Sequence, residues 1–330
     1  MKHVSILVPV GESVLSSIVG SYKIFYNVNK YLIESRQMDH DFFDIDLVGL
    51  NESTDLYNGK FTVRPTKTID QIDKTDLIIV TTIIGDMEKE LKANGAFIPW
   101  IRERRIKNNA EVASLCTGAF LLAETGLLNG KSCSTHWQAA DTFRKMYPRI
   151  NLLDDKVITE DNGIYSSGGA YSFLNLLLHL VEKYCGREAA IWCSKVFEID
   201  FGRTDQNQFV VFNGQKDHLD EPIKHAQEFI ESNFMEKINV EALADRLAIS
   251  RRNFVRRFKK ATSNTPIEYI QRVKIEAAKK SLESSTQNVQ EVMYKVGYND
   301  SKAFRAVFKK YTGLSPFDYR NKYNREMAMA

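Results

Sequence analysis

Across the first two-thirds of the chain, apolar positions gather in short runs, separated by stretches with helical spacing. Val4–Val10, Phe43–Leu50, Leu77–Thr81 and Glu111–Leu115 have the length and composition of buried strands. Ile18–Tyr31, Ile98–Lys107 and Ala119–Thr125 predict helices, the second of them basic and exposed, and Ala189–Ile199 predicts the closing helix of this part. Short apolar strands alternating with helices predict a mostly parallel α/β sheet, whose strand ends are where ligands usually bind.

The last third changes to a helical period throughout. Asp220 or Glu221 opens a helix with Pro222 in its first turn, and Ile223, Ala226, Phe229 and Ile230 form its apolar stripe. Leu243 and Leu247 share one face of a short helix, Ala248 is small enough for a close turn, and Ser250 can cap the helix that follows. Phe254 and Phe258 then point inward, leaving Arg251, Arg252, Arg256, Arg257 and Lys259 outside. The pattern returns about fifty residues later. SRRNFVRRFKKATSNTPIEY (250–269) matches DSKAFRAVFKKYTGLSPFDY (300–319): Phe254 with Phe304, Phe258 with Phe308, Thr262 with Thr312, Pro266 with Pro316, Tyr269 with Tyr319. Gly297 takes the second turn and Asp300 or Ser301 the second cap. A lone basic helix is usually a solvated face. A short helix, a tight turn and a basic helix, twice over, predict two helix-turn-helix units and double-stranded DNA as partner. The amphipathic stretch 267–282 between them predicts a strut. Adjacent major-groove openings lie about 34 Å apart, which a helix of roughly twenty residues could span.

These residues resemble the DNA-binding domain of the AraC/XylS family of bacterial transcription regulators, above all over KIEAAKKSLESSTQNVQEVMYKVGYNDSKAFRAVFKKYTGLSPFDYR. The resemblance implies seven helices, with recognition helices third and sixth. By motif position it makes Arg252, Val255 and Arg256 base-facing in the first unit, and Ser301, Lys302 and Arg305 in the second. Arg suits guanine O6 and N7. Lys259, Lys260, Lys309 and Lys310 fall to the phosphates.

At 330 residues and 43% apolar composition, the chain can hold two packed domains. Its net charge of +3 is unevenly spread: residues 219–330 carry 21 Lys and Arg against 14 Asp and Glu, leaving 24 against 28 before them. The polyanion-binding end is therefore the C-terminal one. No apolar run is long enough to span a membrane, and the N-terminus lacks the pattern of a signal peptide. Cys116, Cys133, Cys185 and Cys193 show no metal-ligand spacing, so no metal or cofactor is expected, and free thiols suit a cytoplasmic protein.

Cys116 carries the candidate chemistry. A strand running into Cys116-Thr117-Gly118 and then a helix has the form of a nucleophile elbow. A thiol opening a helix is expected to have a lowered pKa. His136, in STHW (134–137), comes level with it if the next strand runs alongside, giving a possible Cys/His pair. For two arbitrary residues the commoner outcome is a structural cysteine and a satisfied histidine.

ASLCTGAFLLAETGLLNGKSCSTHW (113–137) resembles the ThiJ/PfpI superfamily, and especially the GlxA-type regulators that join such a domain to an AraC-type one. The resemblance covers residues 4–200, most strongly 111–137. It implies a flavodoxin-like α/β sandwich over 1–200 that senses a small-molecule effector and forms a homodimer. A linker over 201–218 and an all-α double helix-turn-helix domain over 219–330 would follow. The sensor pocket is expected to include Cys116, Thr117, His136, Ser17 and Gly169. Catalytic members of the superfamily carry an acid on the loop after the first strand, where this chain has Ser17, with Glu12 nearby. Asn175 and Phe173 replace a later Asp and Gly of the subtype. No catalytic residue is therefore expected. The expected function is a sequence-specific transcription regulator; the alternatives are a cysteine-dependent hydrolase or hydratase-like enzyme with an appended DNA-binding module, and a thiol redox sensor. For 201–218, including its Arg203…Gln208-Phe209 pattern, a passive tether and an arm packed on one domain both remain open.

Overall fold

The first strand sets the pattern for the first unit. In β1 (Lys2–Val8), Val4, Ile6 and Val8 enter one apolar core while Leu7 enters another on the opposite face. That alternation is what a strand covered on both faces requires. The computed structural model describes residues 1–324, which fall into two units dividing after Gln206. In the first unit β1 leads to α1 (Leu15–Glu34) and β2 (Phe43–Gly49), then to a small hairpin, β3 (Thr54–Leu56) with β4 (Phe61–Val63). Next come β5 (Lys67–Thr68), β6 (Leu77–Val80), α2 (Met87–Ala93), α3 (Phe97–Asn108), β7 (Glu111–Ser114) and α4 (Gly118–Glu124). The unit is completed by β8 (Ser132–Cys133), α5 (Ala140–Met146), β9 (Asn151–Leu152), β10 (Ile158–Asp161), β11 (Ile164–Ser167) and α6 (Phe173–Val196), which is broken at Gly186.

The main sheet has the order β10-β11-β7-β6-β1-β2-β5, parallel except for the β10–β11 edge pair. Helices α1 and α6 supply one core, with Ile18, Phe25, Leu176 and Leu180 against the β1 and β6 side chains. Helices α3, α4 and α5 supply the other, with Trp100, Phe120 and Phe143. This is the predicted α/β sandwich. Helix α3 is less exposed than its basic sequence implied, since Phe97, Trp100 and Ile101 are buried beneath its charged face.

The second unit is helical: α7 (Glu221–Ser232), α8 (Val240–Arg246), α9 (Arg251–Thr262), α10 (Pro266–Ser284), α11 (Val289–Lys295), α12 (Ser301–Thr312) and α13 (Pro316–Tyr323). The sequence repeat becomes a repeated core. Phe258 meets Tyr269 at 5.3 Å between ring centroids and 81°, and Phe308 meets Tyr319 at 5.4 Å and 81°. Thr262 and Thr312 each turn their hydroxyl back onto the carbonyl four residues earlier, Phe258 and Phe308. Nine residues into each unit the backbone turns left-handed, at Ala248 (φ 54°) and Gly297 (φ 74°). Only the second turn demands glycine, because a Cβ at 297 would lie 2.2 Å from the Met235 carbonyl oxygen. Helix α10 serves both cores, giving Tyr269 to the first and Ile275, Ala278 and Leu282 to the second.

The stretch expected to be a linker is shared out. Thr204–Gln206 runs antiparallel beside Asp155–Val157 in the first unit. From Asn207 onward the chain lies on the helices of the second, where Phe212 packs edge-on against Tyr269 at 5.1 Å.

Candidate functional site

Cys116 follows β7 with φ 56°, a left-handed backbone rare for a residue with a Cβ. The turn is fixed on every side. The Cys116 N–H donates to Ser167 Oγ (3.3 Å), and its carbonyl accepts from Thr135 Oγ1 (3.0 Å). The Thr117 hydroxyl donates to the Ile83 carbonyl. Gly118 lets α4 start close against the sheet: a Cβ there would lie 2.4 Å from the Val80 oxygen and 2.6 Å from that of Thr81. The elbow shape expected from the sequence is therefore present.

The elbow opens into a cavity of about 570 Å³. Cys116, Thr117 and His136 line it, together with apolar walls that include Ile83, Met87, Phe120 and Phe173. Of the other expected pocket residues, Ser17 stands behind the wall formed by Val14 and Ser16; fully buried, it donates to the Val14 carbonyl (2.7 Å) and accepts from the Thr82 N–H (3.2 Å). Gly169 backs His136 so tightly that a Cβ would lie 2.2 Å from the imidazole Cδ2. Next to it, Ala170 lines the cavity.

The electrostatics differ from expectation at one point. The Cys116 thiol is pushed up from its ordinary pKa, not down. Burial dominates: the residue is only 5% exposed, and a thiolate there would lose its hydration. Backbone N–H groups of Ala170 and Thr117 favour the thiolate without overcoming that loss. The other thiols are pushed up by burial as well, Cys133, Cys185 and Cys193 to about 12. His136 is pushed down by burial, and its Nδ1 accepts from the Gln138 N–H at 3.1 Å, so in the neutral ring the proton sits on Nε2. Among the described residues no Asp or Glu lines the cavity; Glu12 is exposed, and its N–H donates to the buried carboxylate of Glu90. Among the described residues no group of three or more His, Cys, Asp or Glu could hold a metal ion, and no helix is long and apolar enough to cross a membrane.

In the second unit, Arg252, Arg256, Lys259 and Lys260 are exposed on α9, and Val255 is half-buried between them. Ser301, Lys302, Arg305, Lys309 and Lys310 are exposed on α12. Asp300 caps α12, accepting from the Lys302 and Ala303 N–H groups, whereas Ser250 stands at the corresponding position of α9 with no side-chain cap bond. Arg257 leaves the outward-facing set, because Asp220 holds its guanidinium through two bonds of 2.9 and 2.6 Å. Residue type alone carries no signal of that pairing, which spans thirty-seven positions.

The DJ-1/PfpI family model matches residues 32–183 and a helix-turn-helix domain model matches residues 243–322. The chain is a DJ-1/ThiJ-PfpI-like domain fused to a helix-turn-helix domain, and it matches the AraC/XylS-type transcriptional regulators. It is similar to the HTH-type transcriptional regulator GbdR of Pseudomonas aeruginosa, at 25% identity over 269 residues, covering 78% of this chain and 69% of that protein. It is also similar to the HTH-type transcriptional regulator CdhR of the same organism, at 23% identity over 79% of this chain and 76% of that one. Among solved structures, a Vibrio parahaemolyticus protein proposed to be a transcriptional regulator aligns with a TM-score of 0.52 and 27% identity over 59% of this chain and 98% of its own. A ThiJ/PfpI family protein from Pseudomonas syringae aligns with a TM-score of 0.50 and 16% identity over 75% of this chain and 90% of its own, a likeness of fold alone.

Proposed function

We propose that this DNA-binding transcriptional regulator binds an uncharged small molecule in the cavity beside Cys116, and that α9 and α12 read duplex DNA. The observation that carries the proposal is the pairing of a cavity walled mostly by apolar groups, with no Lys, Arg, Asp or Glu among the described residues of its lining, with two exposed basic helices set on repeated cores. Arg252, Val255, Arg256, Ser301, Lys302 and Arg305 face bases; Lys259, Lys260, Lys309 and Lys310 face phosphates. The first unit does not turn over substrate: a raised thiol with no carboxylate beside it lacks both the nucleophile and the proton relay that hydrolysis needs. The same raised thiol argues against sulfenic acid as the signal, since oxidation follows thiolate character.

The regulator acts as a homodimer. Val19, Tyr22, Tyr26 and Ile33 leave an exposed apolar line on one face of α1, with Tyr22 and Tyr26 stacked at 5.7 Å, and a second copy would cover it. The test combines thermal unfolding of the full chain against a panel of neutral and charged small metabolites with DNA binding by fluorescence anisotropy. A ligand at a hundred times its Kd stabilises the fold by about 2.7 kcal/mol. Stabilisation by charged compounds alone, or DNA affinity that ignores salt, would refute the respective half of the proposal.

A further inference from the structure

Gln206 is the last residue of the first unit and is 1% exposed. Its side-chain amide ties together loops that form the effector cavity. Oε1 accepts from the Gly169 N–H at 2.9 Å; Nε2 donates to the Thr135 carbonyl at 3.0 Å and the Asp154 carbonyl at 2.8 Å. The backbone joins in, the Gln206 N–H donating to the Asp155 carbonyl at 2.8 Å. Thr135 precedes His136, and Gly169 precedes Ala170, so both clamped loops supply cavity wall. The fit leaves no slack: a Cβ on Gly168 would lie 2.9 Å from the amide, and one on Gly169 would enter the His136 ring.

The next residues are fixed just as firmly to the second unit. Gln208 accepts from Lys322 Nζ and from the Tyr323 hydroxyl on α13. The buried Lys279 donates to the Val210 carbonyl at 2.6 Å, and the Phe212 N–H donates to Glu276 at 3.2 Å. Gln215 accepts from Gln227 on α7 and from Asn264 ahead of α10. Segment 207–218 is thus a strap laid across both helix-turn-helix units and along α10, through Tyr269, Glu276 and Lys279. Only Asn207 separates the clamp at Gln206 from the first anchor at Gln208, about 7 Å of chain at full extension.

We propose that Gln206 is the positioning residue through which the effector cavity acts on the DNA-binding unit. An occupant that displaces the 168–170 loop shifts or releases the amide, and on this proposal the displacement passes along the chain through Asn207 and loosens the strap on α10. The inference rests on the effector reading above and supplies its route. Reciprocity follows: a state of the strap favoured on DNA favours one state of the cavity by the same factor.

Two perturbations of the full chain test this without knowing the natural effector. Iodoacetamide alkylates Cys116, the sulfur–carbon bond forming as the carbon–iodine bond breaks, with iodide released and the thiol proton passed to buffer. Gly169→Ala drives a methyl group at the His136 ring in a backbone conformation that any residue can adopt (φ −76°, ψ 165°). Amide hydrogen exchange over 208–218 is the readout. Each perturbation should speed strap exchange by a factor of roughly 5–150, the span of ordinary couplings between sites. Both responses should vanish when two glycines are inserted between Gln206 and Asn207, which keeps the clamp and slackens the link. Gln206→Ala should also lose them, and the insertion carries the test if that variant folds poorly. Strap exchange that ignores both perturbations, or that responds equally in the insertion variant, overturns the proposal. If a metabolite binds and changes DNA affinity while the strap stays silent, only the route fails. If no metabolite binds yet Gly169→Ala still loosens the strap, the route stands and the effector reading fails.

Discussion

Two neighbouring arginines on α9 should give opposite phenotypes. Arg256 is exposed, and its guanidinium donates to Asn253 on its own helix (2.9 Å), an exchangeable surface bond that leaves it able to meet a base. Arg257 is bound to Asp220, whose carboxylate also caps α7 by accepting from Ile223. Replacing Arg256 with Ala should leave stability unchanged within about 0.5 kcal/mol, as for other exposed sites. It should cost about 1–3 kcal/mol at the preferred duplex if the contact is a bidentate one to guanine. That is a loss of roughly 5- to 150-fold in Kd, since each 1.4 kcal/mol is tenfold. Arg257→Ala removes a paired group. The pair is about a third or less exposed on each side, at 30% and 24%, and screening holds its own worth to about 1 kcal/mol or less. Its loss should lower the unfolding temperature while leaving affinity for DNA nearly intact. The assay is anisotropy against a selected duplex and a scrambled one across a salt series, beside thermal unfolding of each variant. A loss for Arg256→Ala that is equal on both duplexes, with a salt slope shallower by about 0.9, would move Arg256 to the phosphates. Arg257→Ala losing as much affinity as Arg256→Ala at unchanged stability would refute the pairing argument altogether.

Three further outcomes are expected. Gly118→Ala should destabilise the first unit by about 1–3 kcal/mol through overpacking, because the Val80 and Thr81 carbonyls it would strike are backbone; denaturant unfolding checks this, and a neutral result would mean that α4 can lift from the sheet. His136 has a folded-state pKa below its ordinary 6.5, so the unfolded chain binds more protons; the wild type should lose stability relative to His136→Gln as pH falls below about 6.5, level off below the folded pKa, and match the variant's pH dependence above 6.5. Iodoacetamide should label Cys116 before Cys133 and Cys193, which have no exposed surface, yet more slowly than a free thiol; mass spectrometry that finds Cys133 labelled equally fast would remove the cavity as the access route.

Where sequence spacing determines packing, the fold was legible. Two phenylalanines four apart and a tyrosine after Pro266 or Pro316 can reach a common core only from one helix face, and the two copies have nearly identical ring geometry. Strand alternation in β1 was legible for the same reason. The site was legible in outline, since Cys116, Thr117 and His136 line one cavity, but not in its supports. Ser17 was placed in the pocket by analogy with the position of an acid; its hydroxyl is instead spent joining the end of β6 to the start of α1. Gln206 gave no signal because its partners, Gly169 and Thr135, lie thirty-seven and seventy-one positions away and are engaged through backbone atoms, which leave no mark on residue type. Arg257 was hidden likewise, in that a basic residue on a recognition helix looks the same whether it faces DNA or an aspartate from another helix.

The sign of the Cys116 shift shows why an elbow alone does not make a nucleophile. The turn supplies what a thiolate wants: backbone N–H groups and a strained backbone that presents the sulfur to a cavity. Those donors would stabilise the anion only after its loss of water had been offset, and with the residue 5% exposed that loss is the larger effect. A carboxylate near the sulfur could accept its proton and hold it in place during a reaction; Ser17 cannot, because a serine hydroxyl stays protonated in this pH range and is already committed to the Val14 carbonyl. With the thiol and the imidazole both pushed toward their neutral forms, the cavity offers an occupant apolar walls, hydroxyls and a weakly nucleophilic sulfur. On the effector reading proposed above, such a site would release its ligand unchanged, so that its occupancy follows concentration. The burial that raises the thiol also suits the cavity to holding a neutral occupant, which is what the effector reading proposed above requires, and on the proposed route Gln206 would pass that occupancy on through Asn207.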